Sequence, residues 1–377
     1  MQDLWLISVP LDKTSAKSVE KLKHIVGKTN LASCCKFSIP DLTVGILDSL
    51  LCVSDELSTL DTLTESVMTK TCQCMREVME QARDKVAENV LANGVDMMSY
   101  VTSFQWDKAK YPTSLPLPSL VNIITKEVSQ VEVELKSRAA AFSSVKASLQ
   151  CLERKLEGGL QTCSLNGIVR REDLVFSEYL TTLLVVVCRR DYMRWERTYE
   201  SLSAFVVPRS SRKLYEDGKG GIFSVTLFKR VVAEFKAKAQ ESKFTVREYS
   251  FDLEEKQQQE RKELRVHKKE HYGMFVPWLK VNYNQVFIAW IHLKALRVFV
   301  ESVLRYGLPV NYQALLLQSD RKCSEKLKEV LSSLFVHLDP TATVSKMDVT
   351  CDIPGLSQQD YFSYICFHIN TNMLELC

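Results

Sequence analysis

The sequence predicts an α+β protein that is predominantly helical, and three patterns support this prediction. One apolar stripe continues through a helical pattern from Leu120 to Leu156. Strand and helix patterns alternate as βαββαβ between Tyr179 and Phe251, and a second long helical pattern begins at Asp252. If one long helix leaves the first part of the chain and the other returns to it, the protein is an elongated dumbbell, with a foot that holds both termini, a long antiparallel two-helix neck and a small α/β head.

The domain boundaries follow from these patterns. We expect the two ends of the chain to build one domain and the middle segment to form another. The predicted segments are the N-terminal part of the foot (1–115), the outgoing neck helix (116–160), the head (161–250), the returning neck helix (251–274) and the C-terminal part of the foot (275–377).

Composition excludes several classes of protein. The 377 residues are 46% hydrophobic and 25% charged, as expected for a globular protein with a sizeable core. The net charge of +3 gives no general attraction to nucleic acid or anionic membranes, so any electrostatic function requires a local patch. We expect a soluble chain without direct membrane insertion, because no basic secretory leader begins it and no apolar run reaches the ~20 residues of a membrane helix.

Twelve cysteines are spread along the chain. Cys34 and Cys35 are adjacent and Cys72 and Cys74 lie two apart, but no CxxC pair occurs and no second pair stands at zinc-finger spacing. We therefore expect reduced thiols that pack mostly as small apolar side chains. The sequence leaves open whether any of them is redox-active.

The first segment has the pattern of a compact helical unit. Apolar residues between Leu42 and Leu91 recur mostly at spacings of three, four and seven, which predicts helix. Asn93-Gly94 supplies a left-handed stop at its C-terminal end. Val95–Gln105 is rich in aromatic and β-branched residues and predicts a strand, and the prolines between 112 and 118 predict a loop.

The next helix is long enough to need a partner along its length. Its eleven apolar positions from Leu120 to Leu156 have a mean spacing of 3.6 residues, so they stay on one stripe. Such a helix extends roughly 55 Å at 1.5 Å per residue, and Gly158-Gly159 ends it. The polar segment Asp252–His271 predicts the returning helix, and an apolar pattern continues from Phe275 to a stop at Gly307-Leu308-Pro309.

The middle segment predicts a small α/β domain of the split βαβ type. The remaining C-terminal residues also predict a globular α/β structure. The elements of the middle segment are a buried strand (Tyr179–Arg190), a helix (Asp191–Ser201), two strands (Ala204–Val207 and Gly221–Val225), a helix (Thr226–Gln240) and a last strand (Phe244–Phe251).

Several segments resemble the C-subunit family of the V-type ATPase, in one order along nearly the whole chain. Trp278–Gln318 (WLKVNYNQVFIAWIHLKALRVFVESVLRYGLPVNYQALLLQ) resembles the C-terminal hallmark of the family. Departures at Cys34-Cys35, Cys72–Cys74 and Cys377 concern the isoform and not the family. The other similar segments are LWLISVP (Leu4–Pro10), KFSIPDLTVGILDSL (Lys36–Leu50), NVLANGVDMMSYVTSFQWDKAKYP (Asn89–Pro112), LKSRAAAF (Leu135–Phe142), SEYLTTLLVVV (Ser177–Val187), FVVPRSS (Phe205–Ser211) and DIPGLSQQDYF (Asp352–Phe362).

The resemblance implies a non-catalytic subunit of a rotary proton pump, with no cofactor or metal. Members of the family have a foot, a two-helix neck and a head, and they join the soluble ATP-hydrolysing sector to the membrane sector. The head is held by a peripheral stalk made of the E and G subunits, and the foot contacts a second stalk and the cytosolic domain of subunit a. Members leave the complex when the pump reversibly disassembles, which implies a cytoplasmic protein associated peripherally with endomembranes or the plasma membrane. Some members also bind actin, so a free-standing cytoskeletal adaptor is the alternative function.

A local basic excess in the head predicts a partner-binding surface. Residues 170–250 hold 16 Lys and Arg against 11 Asp and Glu. Cations at predicted strand ends and in loops can reach acidic side chains of the stalk helices. The head candidates are Arg189, Arg190, Arg209, Arg212 and Lys213. The foot candidates are Arg297, Arg305 and Tyr306.

Two further patterns suggest other chemistry. His267-Lys268-Lys269-Glu270-His271 has the H-x-x-E-H order of inverted zinc proteases, but its charged flanks favour a solvated helix face over a zinc site. The βαββαβ order is shared with RNA-recognition motifs, yet Lys219–Phe228 matches their third-strand signature only at its Lys-Gly start and at Phe223. We therefore expect no nucleic-acid partner.

Overall fold

The computed structural model describes residues 2–29, 31–79, 90–156, 158–165, 168–247, 249, 251–309, 311–338 and 362–371. The chain divides into two compact units: unit 1 comprises Met1–Ala139 with Gly273–Cys377, and unit 2 comprises Ala140–Tyr272. The described residues are predominantly helical and contain two small antiparallel sheets, which agrees with the predicted α+β class. The finer boundaries of foot, neck and head remain predictions.

The described residues form eight strands and eight α-helices, numbered in chain order. The strands are β1 (Gln2–Pro10), β2 (Ala32–Lys36), β3 (Leu180–Cys188), β4 (Arg212–Glu216), β5 (Gly220–Phe228), β6 (Thr245–Arg247), β7 (Tyr312–Asp320) and β8 (Ile365–Ile369). The helices are α1 (Lys13–Thr29), α2 (Leu47–Val78), α3 (Met97–Thr102), α4 (Leu117–Leu156), α5 (Tyr192–Thr198), α6 (Val232–Glu241), α7 (Phe251–Tyr306) and α8 (Ser324–Leu334).

The sheet of unit 1 has the strand order β2-β7-β1-β8, and all neighbouring strands are antiparallel. Because successive side chains of a strand point to opposite faces, Ile7 of β1 packs with Leu22 of α1 and Leu331 of α8 on one face. On the other face, the hydroxyl groups of Ser8 and Ser302 of α7 share a hydrogen bond of 2.7 Å. Helices therefore cover both faces of the central strand.

The sheet of unit 2 has the order β4-β5-β3-β6 and is also antiparallel throughout. Val185 of β3 packs with Trp195 of α5 and Phe235 of α6 in one buried cluster. Leu184 faces the opposite side of the sheet, where it packs with Leu165. The predicted order βαββαβ is confirmed for this unit.

Both sheets have the same topology. When the four strands of each sheet are numbered along the chain, each sheet has the spatial order 2-3-1-4, and a helix follows the first and third strands. In unit 1 the two βαβ halves are β1-α1-β2 and β7-α8-β8, and residues 37–311 lie between them. The sequence predicted this motif only for the middle segment, because the two halves in unit 1 are separated by most of the chain.

The predicted long helix is confirmed as α4, and the predicted polar returning segment forms the first part of α7. Gly307, which has a left-handed φ of 80°, follows α7 and ends it as predicted. Val133 lies on the opposite side of α4 and is largely exposed. The buried positions of the predicted α4 stripe include Leu120, Ile124, Val128, Val131, Leu135, Phe142 and Leu149.

The predicted strand at Val95–Gln105 is wrong. Residues Met97–Thr102 form helix α3, and Asp96 caps it by accepting a hydrogen bond of 2.9 Å from the backbone N–H of Ser99. This cap satisfies a backbone donor that has no partner within the helix. The capping contact outweighs the strand preference of the aromatic and β-branched side chains.

The predicted strand at Ala204–Val207 is also wrong. Val206 makes only an isolated bridge to Leu227, and the strand beside β5 is β4. Pro208 has no backbone donor, and Arg209 adopts a left-handed φ of 56°, so pairing cannot continue past them. Strand β4 is an exposed edge strand and buries no row of side chains. Its sequence, RKLYE, therefore does not alternate between apolar and polar residues, and the strand could not be recognised from that pattern.

Several helices and strands begin or end at residues other than those predicted from the sequence. Helix α2 begins at Leu47 rather than Leu42, directly after Gly45-Ile46, and the predicted helical residues 80–89 lie outside the described residues. Thr226–Phe228 extend β5, so α6 begins only at Val232. The last strand of unit 2 is limited to β6, and Phe251 begins α7. Most of the family-like segment 352–362, together with Cys351 and Cys377, also lies outside the described residues.

Candidate partner-binding surfaces

The cations predicted for the head fall into separate groups. The first group lies where β3 ends and contains Arg189, Lys213 and Glu216. The Lys213 ammonium donates to Glu216 Oε2 at 2.7 Å, and Arg189 Nε lies 3.9 Å from Glu216 Oε1. The hydrogen bond from Lys213 lowers the pKa of the Glu216 carboxyl below its ordinary value. All three side chains remain accessible to solvent.

The second group surrounds Glu200. Its Oε1 atom accepts hydrogen bonds of 2.8 Å from the backbone N–H of Arg209 and from the hydroxyl of Tyr199. The backbone bond from Arg209 is the main reason that the pKa of Glu200 lies below its ordinary value. Glu200 therefore fixes the loop conformation, while the guanidinium of Arg209 stays exposed.

Arg190 and Arg212 are exposed, but strand geometry separates Arg212 from Lys213. Arg212 pairs with Ser224 and Lys213 pairs with Phe223 in the β4–β5 ladder. Since consecutive residues of a strand point to opposite faces, these two cations cannot belong to one patch. The sequence suggested a single basic surface, whereas the structure distributes its members around the sheet.

The foot candidates have partners within unit 1. Arg297 Nη1 donates to the buried carboxylate of Asp61. Arg305 donates to the backbone oxygen of Phe362 at 3.1 Å. The hydroxyl of Tyr306 donates to the backbone oxygen of Ser8 at 2.7 Å, and burial raises its pKa to about 12. These contacts contribute to the cohesion of unit 1, and a role of the three residues in partner binding remains a prediction.

Sequence reasoning missed a group of exposed aromatic side chains in unit 2. Phe176 and Tyr179 lie just before β3, and Phe205, Phe228 and Arg230 contact one another. The guanidinium of Arg230 lies 3.7 Å from the ring centroid of Phe205 and 5.7 Å from that of Phe228. The five residues come from three separate segments of the chain, one of which is the end of β5, so no local pattern marks them. Their common signal is a large apolar side chain beside a predicted strand end.

The H-x-x-E-H motif lies on the exposed surface of α7. Nδ1 of His267 is 3.9 Å from Oε2 of Glu270, and both side chains are largely exposed. No cluster of three or more potential metal ligands occurs within the residues that the structure describes. The motif therefore has no third ligand there.

The remaining candidate features are the cysteines, as reactive thiols, and the apolar helices, as membrane spans. No disulfide joins the cysteines within the described part of the chain. Burial raises the pKa of the Cys74 thiol to about 11 and that of Cys366 to about 12, which makes both poor nucleophiles. Among the described helices, none has a window apolar enough to span a bilayer.

Comparison with known proteins identifies the protein family. The sequence model of the V-ATPase C-subunit family matches residues 4–365. The chain is 52% identical over 382 residues to the V-type proton ATPase C 1-B subunit of Danio rerio and 51% identical over 381 residues to the C 1 subunit of Xenopus laevis. It is 46% identical over 427 residues to the V-type proton ATPase C 2 subunit of Homo sapiens. Each alignment covers 100% of both chains.

The similarity to a solved structure is weaker. The cytoplasmic N-terminal domain of subunit I, a homologue of V-ATPase subunit a, aligns with 89% of this chain and 98% of its own at 13% identity, with a TM-score of 0.30. That score is too low to support a structural argument. Because one family accounts for residues 4–365 and its members align end to end at 46–52% identity, the chain belongs to the C-subunit family of the V-ATPase.

Proposed function

We propose that this chain is a non-catalytic stator subunit of the V-type proton ATPase. In this role it links the soluble ATP-hydrolysing sector to the membrane sector, on the cytoplasmic side of the membrane. The observation that carries the proposal is the end-to-end similarity to proteins named as C subunits of the V-type proton ATPase. Such similarity along the full length of both chains argues for the same role rather than for one shared domain.

The proposed contacts are with two kinds of partner. Unit 2 binds a peripheral stalk of E and G subunits, and unit 1 binds a second stalk and the cytosolic domain of subunit a. Accessible cations of unit 2, such as Arg190 and Arg212, support binding to acidic stalk residues. Two weak attachments on one chain bind tightly together, because the second attachment is intramolecular once the first has formed.

In this proposal, the presence of two attachments on one chain also controls reversible assembly. When one attachment is lost, the effective concentration that favoured the other attachment disappears, and the chain dissociates as a whole. For the contact of unit 1 with subunit a, the candidates are the predicted Arg297, Arg305 and Tyr306. No observation on the described residues favours the actin-binding alternative.

Reconstitution tests this proposal directly. Vesicles that carry the V-type ATPase are stripped of their own C subunit, and the purified full chain is then added. We expect the chain to restore ATP-driven acidification and to bind a purified E–G heterodimer in calorimetry, while hydrolysing no ATP by itself. If the chain neither binds the heterodimer nor restores acidification, the stator proposal is wrong.

A further inference from the structure

Helix α1 of unit 1 carries more net positive charge than the whole chain does. It contains five lysines and one glutamate, a net charge of +4, whereas the complete chain has +3, so the other residues together carry −1. An electrostatic function of this protein requires a local patch, and α1 supplies one. The lysines are Lys13, Lys17, Lys21, Lys23 and Lys28.

Four of these lysines form one stripe along the helix. At 3.6 residues per turn, Lys13, Lys17, Lys21 and Lys28 lie within an arc of about 80°, and the stripe is about 22 Å long. We call these four residues the lysine stripe. All four side chains are exposed, and the exposed imidazole of His24 lies in the same arc. A flat surface laid along the helix can therefore meet all of them at once.

Packing fixes the direction in which the lysine stripe faces. The opposite side of α1 buries Val19, Leu22 and Val26 in one cluster with Leu317 of β7 and Leu331 of α8. The apolar face of the helix is thus already covered by the sheet and by α8. The exposed residues of α1 are only Lys, Glu, His, Thr and Gly, so this surface binds through charge and has no apolar side chain to insert.

Few acids compete for these lysines. None of the four forms an ion pair with an acid of the described residues. Glu20 is the single acid on α1, and Asp12 is occupied in capping the helix, where it accepts from the N–H of Ser15. The neighbouring helix α8 and the turn before it expose three cations and two acids. These residues are Arg321, Lys322, Lys326, Glu325 and Glu329.

The residue types of this surface select the kind of partner. The centres of protein interfaces are enriched in arginine and aromatic residues and depleted in lysine. Sites for single-stranded nucleic acid combine cations with aromatic side chains that stack on the bases. The exposed surface of α1 has neither arginine nor a Phe, Tyr or Trp side chain. Clusters of about four to eight cations bind anionic lipid headgroups through charge alone, and the lysine stripe matches this composition.

We propose that the lysine stripe of α1 is a binding surface for an anionic membrane, to which the chain adsorbs without inserting. The lysine ammonium groups meet the headgroups of acidic phospholipids, and α1 lies parallel to the bilayer surface. This inference goes beyond the stator role, because adsorption requires no other subunit. Combined with that role, adsorption concentrates a released chain at the membrane that holds its docking site.

The test measures co-sedimentation of the purified full chain with lipid vesicles at two ionic strengths. One set of vesicles contains phosphatidylcholine with phosphatidylserine, and the other set contains phosphatidylcholine alone. The stripe variant combines Lys13→Gln, Lys17→Gln and Lys21→Gln. The control variant neutralises three exposed lysines of α7 and therefore has the same net charge. The control substitutions are Lys256→Gln, Lys262→Gln and Lys269→Gln.

Glu20→Gln tests the same surface in the opposite direction. Glu20 is exposed between the lysines of the stripe and repels acidic headgroups, so its neutralisation should strengthen binding. A gain of affinity cannot result from unfolding, and thermal unfolding of each variant verifies that the fold is intact.

We expect the unmodified chain to bind the phosphatidylserine vesicles and to be released as the ionic strength rises. The stripe variant should bind about a hundredfold more weakly, because each lysine near an anionic bilayer contributes a factor of about five. The control variant should bind nearly as the unmodified chain does, and Glu20→Gln should bind several-fold more tightly.

Three results would overturn the inference. The unmodified chain ignores the phosphatidylserine vesicles, or it binds both sets of vesicles equally, or the stripe and control variants lose the same affinity. Stripe-dependent binding of polyglutamate or of RNA, without binding of vesicles, would replace the membrane with an acidic protein segment or a nucleic acid. The stator proposal is independent of these outcomes, because it is tested by binding of the E–G heterodimer and by acidification.

Discussion

At the residue scale, the carboxylate of Asp61 lies in the core of unit 1 between two cations of α7. Asp61 accepts hydrogen bonds of 2.8 Å from the Lys294 ammonium and from the indole N–H of Trp290, and a further bond from Arg297. Asp61 is 5% exposed and Lys294 is 3% exposed, so both charges are largely removed from water. Glu65 lies 3.2 Å from Lys294 and balances the charge of the group. This cluster aligns α2 with α7 at a defined register.

Replacing Asp61 with alanine should destabilise unit 1 strongly. The change leaves Lys294 and Arg297 without their main counter-charge, and breaking a buried ion pair costs about 3–5 kcal/mol. Urea denaturation followed by tryptophan fluorescence measures the loss. Lys70→Met, which removes the surface pair with Glu132, is the control and should cost at most about 1 kcal/mol. Equal effects of the two substitutions would contradict a structural role for the buried cluster.

His292 is a second buried polar residue of α7. Its Nδ1–H donates to the backbone oxygen of Ile288 at 2.8 Å, and its Nε2 accepts from the N–H of Asp107 at 3.0 Å. The rings of Trp106 and Tyr111 lie within 5.0 Å and 4.7 Å of the imidazole. Burial lowers the pKa of His292 from 6.5 to about 4, so the imidazole is neutral in the folded protein at neutral pH.

Acid should therefore destabilise the fold through His292. Because its pKa is lower in the folded state, the stabilising contribution is complete above pH 6.5 and is lost as the pH falls toward 4. A shift of this size corresponds to about 3 kcal/mol over that window. We expect unfolding midpoints of His292→Gln to vary less between pH 6.5 and 4.5 than those of the unmodified chain. The surface substitution His24→Gln is the control, and an identical pH profile for His292→Gln would exclude this role.

At the scale of elements, the start of β5 depends on a close approach of two backbones. Gly220 pairs with Cys188 of β3, and a Cβ atom at Gly220 would lie 2.5 Å from the backbone oxygen of Val187. That distance is too short for a side chain, so the strands would have to separate. A Cβ atom at Gly218, in the preceding turn, would meet no atom within 4 Å.

The two glycines of this turn should therefore respond differently to alanine. We expect Gly220→Ala to destabilise unit 2 by roughly 1–3 kcal/mol, since overpacking forces the backbone to shift. Gly218→Ala should be neutral or stabilising by up to about 1 kcal/mol, because alanine reduces the freedom of the unfolded chain. Thermal unfolding of both variants provides the comparison, and a destabilised Gly218→Ala would contradict the steric explanation.

At the scale of the whole molecule, the proposed role of the accessible cations of unit 2 is to attract an acidic partner before contact is made. A surface charge at the edge of an interface mainly changes the rate of association, because it steers the approach of the partner. Arg209 and Arg212 are exposed and differ in this respect from Arg297, which is bonded to Asp61. The predicted cations of unit 2 are therefore better placed for steering than those of unit 1.

Reversing the charge of Arg209 and Arg212 together should slow association with the E–G heterodimer and reduce its dependence on salt. The dissociation rate should change much less, since these side chains are solvated. Stopped-flow association at two ionic strengths measures both effects. Lys238→Glu combined with Lys256→Glu, two exposed positions on α6 and α7, is the control because it changes the net charge by the same amount. If the double reversal and the control have equal effects, the two arginines do not steer the stalk.

Local patterns in the sequence determined the elements whose signal comes from neighbours along the chain. The apolar stripe of α4, the order βαββαβ of unit 2 and the stop at Gly307 depend on spacings of a few residues, and the structure contains all three. The resemblance of Trp278–Gln318 to the C-subunit family needed no structure either, and the family match over residues 4–365 confirms it.

Tertiary structure decided the features that depend on contacts between distant residues. Asp61 and Lys294 are 233 residues apart, so no local pattern could show that a cation in the apolar run of α7 has a buried partner. The topology of unit 1 joins strands from both ends of the chain, and the contact of Phe205 with Phe228 and Arg230 joins two separate segments. The pairing of Arg212 and Lys213 with β5 decided that these adjacent cations face opposite sides of a sheet. Periodicity specifies which residues are buried on one element, but the choice of partner is made only when the elements pack.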